Sequence, residues 1–265
     1  MLRFTVLGCG SSAGVPRVAQ GWGACDPNNP KNRRRRCSLL VERIGESGKT
    51  TVLVDTSPDL REQLLGAGVE KLDGVLFTHD HADHSHGIDD VRPIALHQRR
   101  RVDVYLDTQT SVALHAKFGY CFATPPGSDY PPIVTEHRIA AGAPVTIEGE
   151  GGVVAATPYV QLHGAGTTLG FRFGTFAYSC DVSAIPDETA RHLQGLDVWI
   201  LDALRYKPHP SHFSVDEALA WVDRIKPRRA VLTNLHTDLD YETLRHVLPA
   251  NVEPAFDNMV IELPD

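Results

Sequence analysis

The sequence predicts an α/β fold in one domain, with two packed β-sheets flanked by helices. Its 265 residues are enough for a single large α/β domain. Short apolar runs bounded by turn residues occur in both halves of the chain, and amphipathic segments of helical periodicity lie between them. Because strands in both halves must bury their apolar faces, we expect two packed sheets with the helices outside. No linker, repeat or low-complexity tract divides residues 1–265.

The predicted elements follow in chain order. The first part of the chain predicts strands near 2–8, 37–42, 51–55 and 74–78, and a helix over 59–65 with Pro58 in its first turn. The middle predicts strands near 102–106, 144–147, 153–160, 168–173 and 175–180. The last part predicts helices near 187–194, 214–226 and 240–248, which alternate with strands at 197–202, 229–234 and 259–263. The stretch 124–132, rich in proline and glycine, is expected to be a surface loop.

Composition and charge narrow the class of protein. The apolar share of 42% and the charged share of 22% are ordinary for a globular protein. The net charge of −7 argues against a general nucleic-acid binder. No apolar run approaches the roughly 20 residues that a membrane span needs, and the amino terminus is typical of a short strand rather than a signal peptide. The five cysteines show no paired spacing, so free thiols in a reducing cytoplasm are expected.

The most informative segment is Thr78-His79-Asp80-His81-Ala82-Asp83-His84, directly after the apolar run 74–77. Neutral imidazole and carboxylate are ligands that zinc, manganese and iron share. His79 and His81 are two residues apart, so in extended backbone they point the same way and can hold one ion. Asp83 and His84 follow as the chain turns, and can reach a second ion. The segment therefore predicts an open metal site at a sheet edge, and not a closed, cysteine-rich structural site.

The pattern His-x-His-x-Asp-His after an apolar strand is the signature of the metallo-β-lactamase superfamily, which the chain resembles along nearly its whole length. The resemblance implies an αββα sandwich of two mixed β-sheets flanked by helices. It also implies further site residues at strand ends: Asp55, His163, Asp181 and His236. Asp55 matches the aspartate that supports the metal ligands from behind, and Asp181 matches the carboxylate that bridges two ions.

The resemblance implies two divalent ions, zinc or manganese, between which the sequence cannot choose. The first ion would take His79, His81 and His163, and the second would take Asp83, His84 and His236, with Asp181 bridging both. One match is imperfect, because many relatives carry the last ligand directly after the threonine of its strand, where this chain has Asn234. His236 is preferred since it would face the same side of an extended backbone. Asn234 stays as the alternative, either as a weak oxygen ligand or as a donor behind the ligands.

A hydrolase also needs an acid to protonate the leaving group. Ser214 and Glu217 form a capping box, so a helix begins at about Val215, and His212 lies in the loop before it. A histidine titrates near neutral pH and suits general acid catalysis, with His209 as the competing candidate. The predicted catalytic residues are His212, Asp83 and Asp181.

Within the superfamily, residues 6–16 and 26–34 resemble the matching segments of one branch. That branch contains the cyclic phosphodiesterase of the carbon–phosphorus lyase pathway. This resemblance implies hydrolysis of a small cyclic diester such as 5-phosphoribosyl 1,2-cyclic phosphate, with His212 in the place of that family's catalytic histidine. The branch also carries a structural zinc on a Cys-x-Cys-x-x-Cys cluster and a late histidine. Only Cys25 remains here, with Gln20, Trp22 and Thr237 in the other places, so no structural zinc is expected.

Two basic features leave alternatives open. Arg92 could hold a phosphate near the metals, or it could pair with Asp89 or Asp90. The run Lys31-Asn32-Arg33-Arg34-Arg35-Arg36 could contact an anionic substrate at the mouth of the site, or its arginines could pair with acidic neighbours before the next strand. The glycines of residues 8–14 miss the dinucleotide-binding spacing, and a flexible loop near the metals is expected there instead.

Sequence and resemblance together predict a cytoplasmic, binuclear metal-dependent phosphodiesterase that acts on a small cyclic or nucleotide-like diester by means of metal-activated water. Its partner would be that small molecule, with neither a membrane nor nucleic acid involved, and a homodimer is one option for its oligomeric state. A tRNA 3′-processing nuclease would usually carry a long basic arm, which is not evident between Asp181 and His236. A thioester, lactone or β-lactam hydrolase would share the metal ligands without needing His212. A non-catalytic binding protein would have lost several ligands.

Overall fold

In a computed structural model, which describes residues 1–264, fourteen β-strands form two sheets of seven strands each. The strands of the first sheet are β1 (Leu2–Gly8), β2 (Ser38–Gly45), β3 (Gly48–Val54), β4 (Gly74–Leu76), β5 (Val102–Leu106), β6 (Val134–Arg138) and β14 (Met259–Leu263). The strands of the second sheet are β7 (Val145–Ile147), β8 (Val154–His163), β9 (Gly166–Phe173), β10 (Phe176–Ser179), β11 (Val198–Asp202), β12 (Arg229–Thr233) and β13 (Val252–Pro254). The helices are α1 (Leu60–Ala67), α2 (Ala82–Ser85), α3 (Arg92–Gln98), α4 (Thr108–Phe122), α5 (Asp187–His192), α6 (Val215–Ile225) and α7 (Tyr241–Val247).

Both sheets are mixed. The first has the strand order β14-β1-β2-β3-β4-β5-β6, with antiparallel pairs as far as β3 and parallel pairs from β3 to β6. The second has the order β13-β12-β11-β10-β9-β8-β7, with parallel pairs from β13 to β10 and antiparallel pairs from β10 to β7. The predicted sandwich of two mixed sheets with helices on the outside is confirmed.

Alternation along the strands builds a core between the sheets and a second core on each outer face. In β1, Phe4 and Val6 belong to the core between the sheets, whereas Leu7 packs in the outer core under the helices. Phe4 stacks on Phe176 of the opposite sheet, with ring centroids 3.6 Å apart, and meets Phe173 edge-on at 5.8 Å. Burying each such side chain contributes roughly 1.5–3 kcal/mol, so these strands hold the two sheets in one fixed relation.

The helices cover the outer faces of the sandwich. Leu60 of α1 and Leu114 of α4 are buried in the outer core of the first sheet. Val222 of α6 is buried with Trp199 in the outer core of the second sheet. The predicted capping box of α6 is present, since the Ser214 backbone N–H donates to the side chain of Glu217 at 2.8 Å and the Ser214 hydroxyl accepts from the Glu217 backbone.

Sequence periodicity missed α2, α3, α4, β6 and β13. The buried positions of α4 include the polar residues Thr110 and Ser111, and Phe118 departs from helical backbone angles, so the apolar repeat is weak. The cap of this helix was a usable signal, because the Asp107 side chain accepts from the Thr110 backbone N–H at 2.8 Å. The strand β6 lies at a sheet edge and is half exposed, which removes the strong apolar run that reveals central strands.

The five cysteines are all unpaired and buried, as their spacing predicts. The stretch 124–132 forms an exposed connection without regular structure, as predicted. Among residues 1–264, no helix combines the length and the apolar character that crossing a membrane would require.

Candidate metal centre

The candidate site lies at one edge of the sandwich, where strands of both sheets end. In the first sheet, Asp55 directly follows β3, and the segment 78–84 begins two residues after β4. In the second sheet, His163 ends β8, and Asp181 comes two residues after β10. Asp202 ends β11, and Asn234 directly follows β12. Because the carboxyl ends of parallel strands meet at the same edge of a sheet, these side chains converge.

Three of these residues have left-handed backbone angles that L side chains rarely adopt. The φ angle is 64° at Asp55, 51° at Asp181 and 63° at Asn234. Asp and Asn visit this region more readily than other residues because their short polar side chains bond locally. The chain therefore turns sharply at these positions, instead of continuing in extended form past the strand end.

The first group of candidate ligands contains three imidazoles and a carboxylate. His79, His81, His163 and Asp181 each offer one ligand atom, and these atoms all lie within 4.8 Å of one another. The Nε2 atoms of His79 and His163 are both 3.7 Å from Oδ2 of Asp181. Three of these four side chains are buried, and His81 is exposed toward solvent. Such an arrangement suits a divalent cation that keeps one open position.

The second group is richer in oxygen. The Nε2 atom of His84 lies 3.4 Å from a carboxylate oxygen of Asp83 and 3.2 Å from Oδ1 of Asp181. Asp181 therefore presents Oδ2 to the first group and Oδ1 to the second. This division is what a carboxylate shared between two neighbouring cation positions requires.

Hydrogen bonds orient the imidazoles so that Nε2 faces the site. His163 Nδ1 donates to the backbone carbonyl of Ser211 at 2.6 Å, because a carbonyl can only accept. His84 Nδ1 donates to Asp55 at 2.8 Å, and His79 Nδ1 lies 2.9 Å from the hydroxyl of Thr78. That hydroxyl donates to Asp55 in turn, at 2.7 Å. Asp55 thus supports the ligands from behind. With the proton on Nδ1, each imidazole leaves Nε2 free to bind a metal ion.

Two observations fit a cation at this site. The Nε2 atom of His79 is buried and has no hydrogen-bonding partner among the described residues, and Nε2 of His84 is buried against the carboxylates of Asp181 and Asp83. Unpaired buried nitrogen atoms are costly, and a metal ion would satisfy them. Burial and the nearby His84 also lower the pKa of His79 well below its ordinary value, which favours the neutral, ligating form. Burial alone would raise the pKa of Asp181, but contact with His84 holds it well below its usual range.

His212 lies beside the ligands and is held by a buried carboxylate. Its Nδ1 atom is 2.8 Å from Oδ2 of Asp202, and its Nε2 atom is 4.0 Å from Oδ2 of Asp181. Burial alone would lower the pKa of His212, but the hydrogen bond and the charge of Asp202 outweigh burial and raise it to about 9. A role for Asp202 at the site was not predicted from the sequence. The signal was available, because Asp202 lies at the end of an apolar strand, as Asp55 and Asp181 do.

The structure does not bring His236 to the ligands. Its Nε2 atom is 2.6 Å from Nη1 of Arg17, and its Nδ1 atom is 3.2 Å from Asp238. The preference for His236 assumed an extended backbone, and the left-handed turn at Asn234 removes that premise. Asn234 takes the position instead, with Nδ2 2.9 Å from Oδ1 of Asp181. Because a carboxylate can only accept, the amide N–H donates, which matches the alternative of a donor behind the ligands.

The two basic features have structural partners. Arg92 forms an ion pair with Asp89 at 2.6 Å and lies over the ring of Tyr120, as the pairing alternative predicts. A contact with substrate stays a prediction. In the basic run, Arg35 pairs with Asp257 at 2.9 Å, and Arg36 pairs with Asp59 at 2.8 Å.

Arg34 is buried, and it joins the loop around residue 25 to the segment after β12. Its guanidinium donates to the carbonyls of Leu239 and His236, to the side chain of Asn32 and to Sγ of Cys25. These contacts fix the segment on which His236 lies.

The sequence matches one family model, described as the β-lactamase superfamily domain, over residues 50–234. The chain belongs to the metallo-β-lactamase superfamily. Combined with the cluster of histidine and aspartate ligands, this membership makes the protein a metal-dependent hydrolase.

Among solved structures, one described as a new diphosphatase from the PhnP family is 35% identical, with a TM-score of 0.89, and the match covers 100% of this chain and 98% of that chain. Zinc-bound PqqB from Methylobacterium extorquens is 17% identical with a TM-score of 0.74, and the match covers 98% of this chain and 100% of that one. That second likeness shows the fold alone.

A curated relative described as an octanoyltransferase, from Porphyromonas gingivalis, is 32% identical over 263 residues. The match covers 97% of this chain and 51% of the relative, so the chain spans about half the length of that protein.

Proposed function

We propose that the protein is a binuclear metal-dependent phosphodiesterase that hydrolyses a small cyclic or nucleotide-like phosphodiester. 5-phosphoribosyl 1,2-cyclic phosphate is one candidate. The similarity to the PhnP-family diphosphatase supports chemistry at phosphorus. The ions would be zinc or manganese, since both accept a shell of imidazole and carboxylate.

The observation that carries the proposal is the pairing of His212 with Asp202 next to the ligand cluster. Asp202 holds Nδ1 of His212 at 2.8 Å, so the Nε2–H bond is directed toward the ligands, 4.0 Å from Asp181. A proton donor in this place is required when an alkoxide leaves from a phosphodiester, because an alkoxide is a poor leaving group.

The residues divide the work of such a reaction. The first and second groups, which share Asp181, would hold two divalent ions, and these would supply an activated water and charge neutralisation at the attacked phosphate. Asp55 keeps the imidazoles in the ligating tautomer. His212 gives its proton to the departing oxygen, and Asp202 stabilises the tautomer and orientation that this transfer needs.

Acyl hydrolysis is the rival chemistry, because the octanoyltransferase relative bears an acyl name. The chain matches only about half of that protein, so the named activity can lie in the other half. A tRNA 3′-processing nuclease is less well supported. The interval between Asp181 and Asn234 consists of α5, β11, α6, β12 and the loops that join them, and it carries no long basic arm.

A substrate panel separates these reactions. Protein loaded separately with zinc and manganese is assayed on bis(p-nitrophenyl) phosphate, p-nitrophenyl phosphate, a thioester and a lactone. We expect the diester to be preferred with at least one metal. Turnover of the thioester or lactone without turnover of the diester would replace the proposal with acyl hydrolysis.

The role of His212 predicts a dependence on the leaving group. His212→Ala should slow a diester with an alkyl leaving group by about 10²–10⁴-fold, and should slow a nitrophenyl diester far less, because nitrophenolate leaves without a proton. Asp202→Asn should show the same selectivity in weaker form. His246→Ala, at an exposed histidine of α7, is the matched control. Equal losses on both diesters would remove His212 from this role.

A further inference from the structure

The left-handed turn at Asp181 is held by hydrogen bonds to both of its peptide groups. The preceding carbonyl, that of Cys180, accepts from the side-chain amide of Gln161 at 3.1 Å. The carbonyl of Asp181 itself accepts from the hydroxyl of Thr168 at 2.9 Å, and the next backbone N–H donates to Asp202 at 2.9 Å. A left-handed angle in a residue other than glycine persists only where its surroundings over-determine it. These bonds therefore hold the backbone angle that orients the carboxylate.

Gln161 and Thr168 form a buried polar pair across two neighbouring strands. They stand opposite each other in the register of β8 and β9, and the Gln161 amide donates to the Thr168 hydroxyl at 3.2 Å. Their exposed fractions are 0% and 2%. Gln161 lies two residues before the candidate ligand His163 in the same strand, so both side chains point to the same face. The buried pair therefore lies one strand repeat behind His163 and contacts the turn at Asp181.

The strand β9 also bonds to the ligand segment of the first sheet. The Leu169 backbone N–H donates to the carbonyl of Thr78 at 2.9 Å, and Thr78 immediately precedes His79. Two consecutive residues of β9 thus contact the two segments that carry ligands: Leu169 contacts the segment of His79, and Thr168 contacts the turn at Asp181. These two bonds fix the spacing between the ligands that the two sheets contribute.

The stability of the fold does not by itself account for the buried pair. Burying an amide and a hydroxyl costs free energy, and apolar residues of the same shape in both positions are often no less stable. The Oε1 atom of Gln161 is in addition buried without a donor among residues 1–264. What the buried pair supplies, and an apolar pair does not, is a donor to each of the two carbonyls around Asp181.

We propose that Thr168 and Gln161 are positioning residues for the shared carboxylate of Asp181. Thr168 holds the turn directly, and Gln161 acts through Thr168 and the Cys180 carbonyl. The proposal rests on the proposed function, in which Asp181 presents Oδ2 to the first group and Oδ1 to the second. Without these donors the backbone can relax toward ordinary angles. The carboxylate then loses the orientation that serves both positions at once.

The first test measures metal affinity without any substrate, by competition titrations with a chelator. Thr168→Val keeps the shape of the side chain and removes its donor, so it should lower the affinity for both ions by about tenfold. Thr168→Ser restores a hydroxyl and should bring both affinities to within about threefold of wild type, the factor that three accessible rotamers allow. Gln161→Met should lower both affinities by less than Thr168→Val, because the direct bond to Asp181 remains.

Two control variants match these changes. Thr167→Val alters the exposed neighbour of Thr168 in the same strand. Gln98→Met breaks similar bonds to the backbone of Leu72, which precedes β4, whereas the ligand segment follows it. Neither control should change metal affinity. In the metal-free protein, each hydrogen bond lost should lower Tm by about 4 °C or less, which shows that every variant still folds.

A spectroscopic signature distinguishes positioning from a general loss of stability. Two manganese ions that share a carboxylate are close enough for exchange coupling, which electron paramagnetic resonance detects. At saturating manganese, the coupled signal should lose most of its intensity in Thr168→Val and should return in Thr168→Ser. A purely structural hydroxyl would leave this signal unchanged once the protein is folded and loaded.

The proposal requires Thr168→Val to lose both affinity and coupling. Retention of either would overturn it, and so would a loss that Thr168→Ser does not restore or that Thr167→Val shares. The proposed function fails separately. If the wild type binds two ions but hydrolyses no diester, the proposed function falls, and the titrations and the coupled signal still decide the role of Thr168. Diester turnover together with unchanged metal binding in Thr168→Val would keep the function and reject the positioning role.

Discussion

The two groups of ligands at the metal centre are built differently. The first group has three imidazoles, with His79 and His81 from one sheet and His163 from the other. The second group has one imidazole, His84, and the carboxylates of Asp83 and Asp181, with the buried thiol of Cys180 beside them. Where a further histidine would complete the second group, the chain has Asn234, which donates to Asp181 and does not replace an imidazole nitrogen.

This difference indicates unequal affinity at the two positions. Imidazole nitrogen binds zinc-like ions well, whereas a set dominated by carboxylate binds harder ions such as manganese as readily. We therefore expect the first group to hold its ion more tightly. The second group depends on Asp181, whose Oδ1 atom is oriented by Asn234. The shared carboxylate links the two groups, so the comparison can be tested by variants that affect both positions or only one.

The largest effect is expected from Asp181→Ala, which should weaken both positions together. Because Asp181 presents one oxygen to each group, its loss should reduce bound metal below one ion per chain and lower kcat/KM by about a thousandfold or more. Metal analysis after gel filtration, together with diester turnover, measures both effects. Asp187→Ala, at an exposed aspartate of α5, is the control. Retention of two ions by Asp181→Ala would show that the carboxylate is not shared.

A reciprocal pair of variants should separate the positions. His81→Ala removes an exposed ligand that belongs only to the first group. It should lower the affinity for the more tightly bound ion by about a hundredfold. Asn234→Ala removes the donor to Oδ1 of Asp181, and should lower the affinity for the ion at the second group by about tenfold. Competition titrations with a chelator measure the two affinities. If Asn234→Ala weakened both ions equally, the distinction between the two groups would be wrong.

The smallest effect concerns Asp240, which fixes the segment after Asn234 to the loop near residue 26. Burial alone would raise the pKa of Asp240, but hydrogen bonds from Thr243, Asp26 and Asn32 outweigh burial and lower it to about 2. A carboxylate with a depressed pKa stabilises the fold above about pH 4, and this contribution disappears as the pH falls toward 2.

Asp240→Ala should therefore lower the free energy of unfolding by about 1 kcal/mol at pH 7, through loss of the α7 cap. The corresponding decrease in Tm is about 2–4 °C, and it should shrink between pH 4 and pH 2. Asp240→Asn keeps a capping side chain without the charge, so its smaller deficit should also fade in that range. Thermal melts across pH measure the difference. A deficit for Asp240→Ala that stays constant down to pH 2 would exclude the charge as its source.

Most of the fold could be predicted because its strands are short apolar runs with strong local signals. Strands such as β3 and β12 are buried on both faces, and they appear in the sequence as continuous runs of valine and leucine. The elements that were missed lack this signal. The helix α4 buries threonine and serine on its inner face, and β6 is a half-exposed edge strand, so tertiary contacts rather than periodicity stabilise them.

The ligand residues were predictable for a related reason. A polar residue directly after a buried strand stands out, and the structure brings His79, His81, His163 and Asp181 together at such positions. The prediction of His236 failed at the metal centre because it extrapolated a strand past its end. The backbone turns at Asn234, and no apolar pattern specifies the sign of φ there.

The sequence by itself determined which kinds of ligand the protein offers and the order in which strands deliver them. The reason is that strand periodicity and strand termini are local properties. Only the tertiary structure decided which side chains meet across the site. His84, which follows a strand of the first sheet, lies 3.2 Å from Asp181 of the second, and Arg17 reaches His236 across 219 positions of the chain. Such pairs form because the two sheets bring distant loops to one edge, and that convergence depends on the packing of the whole sandwich.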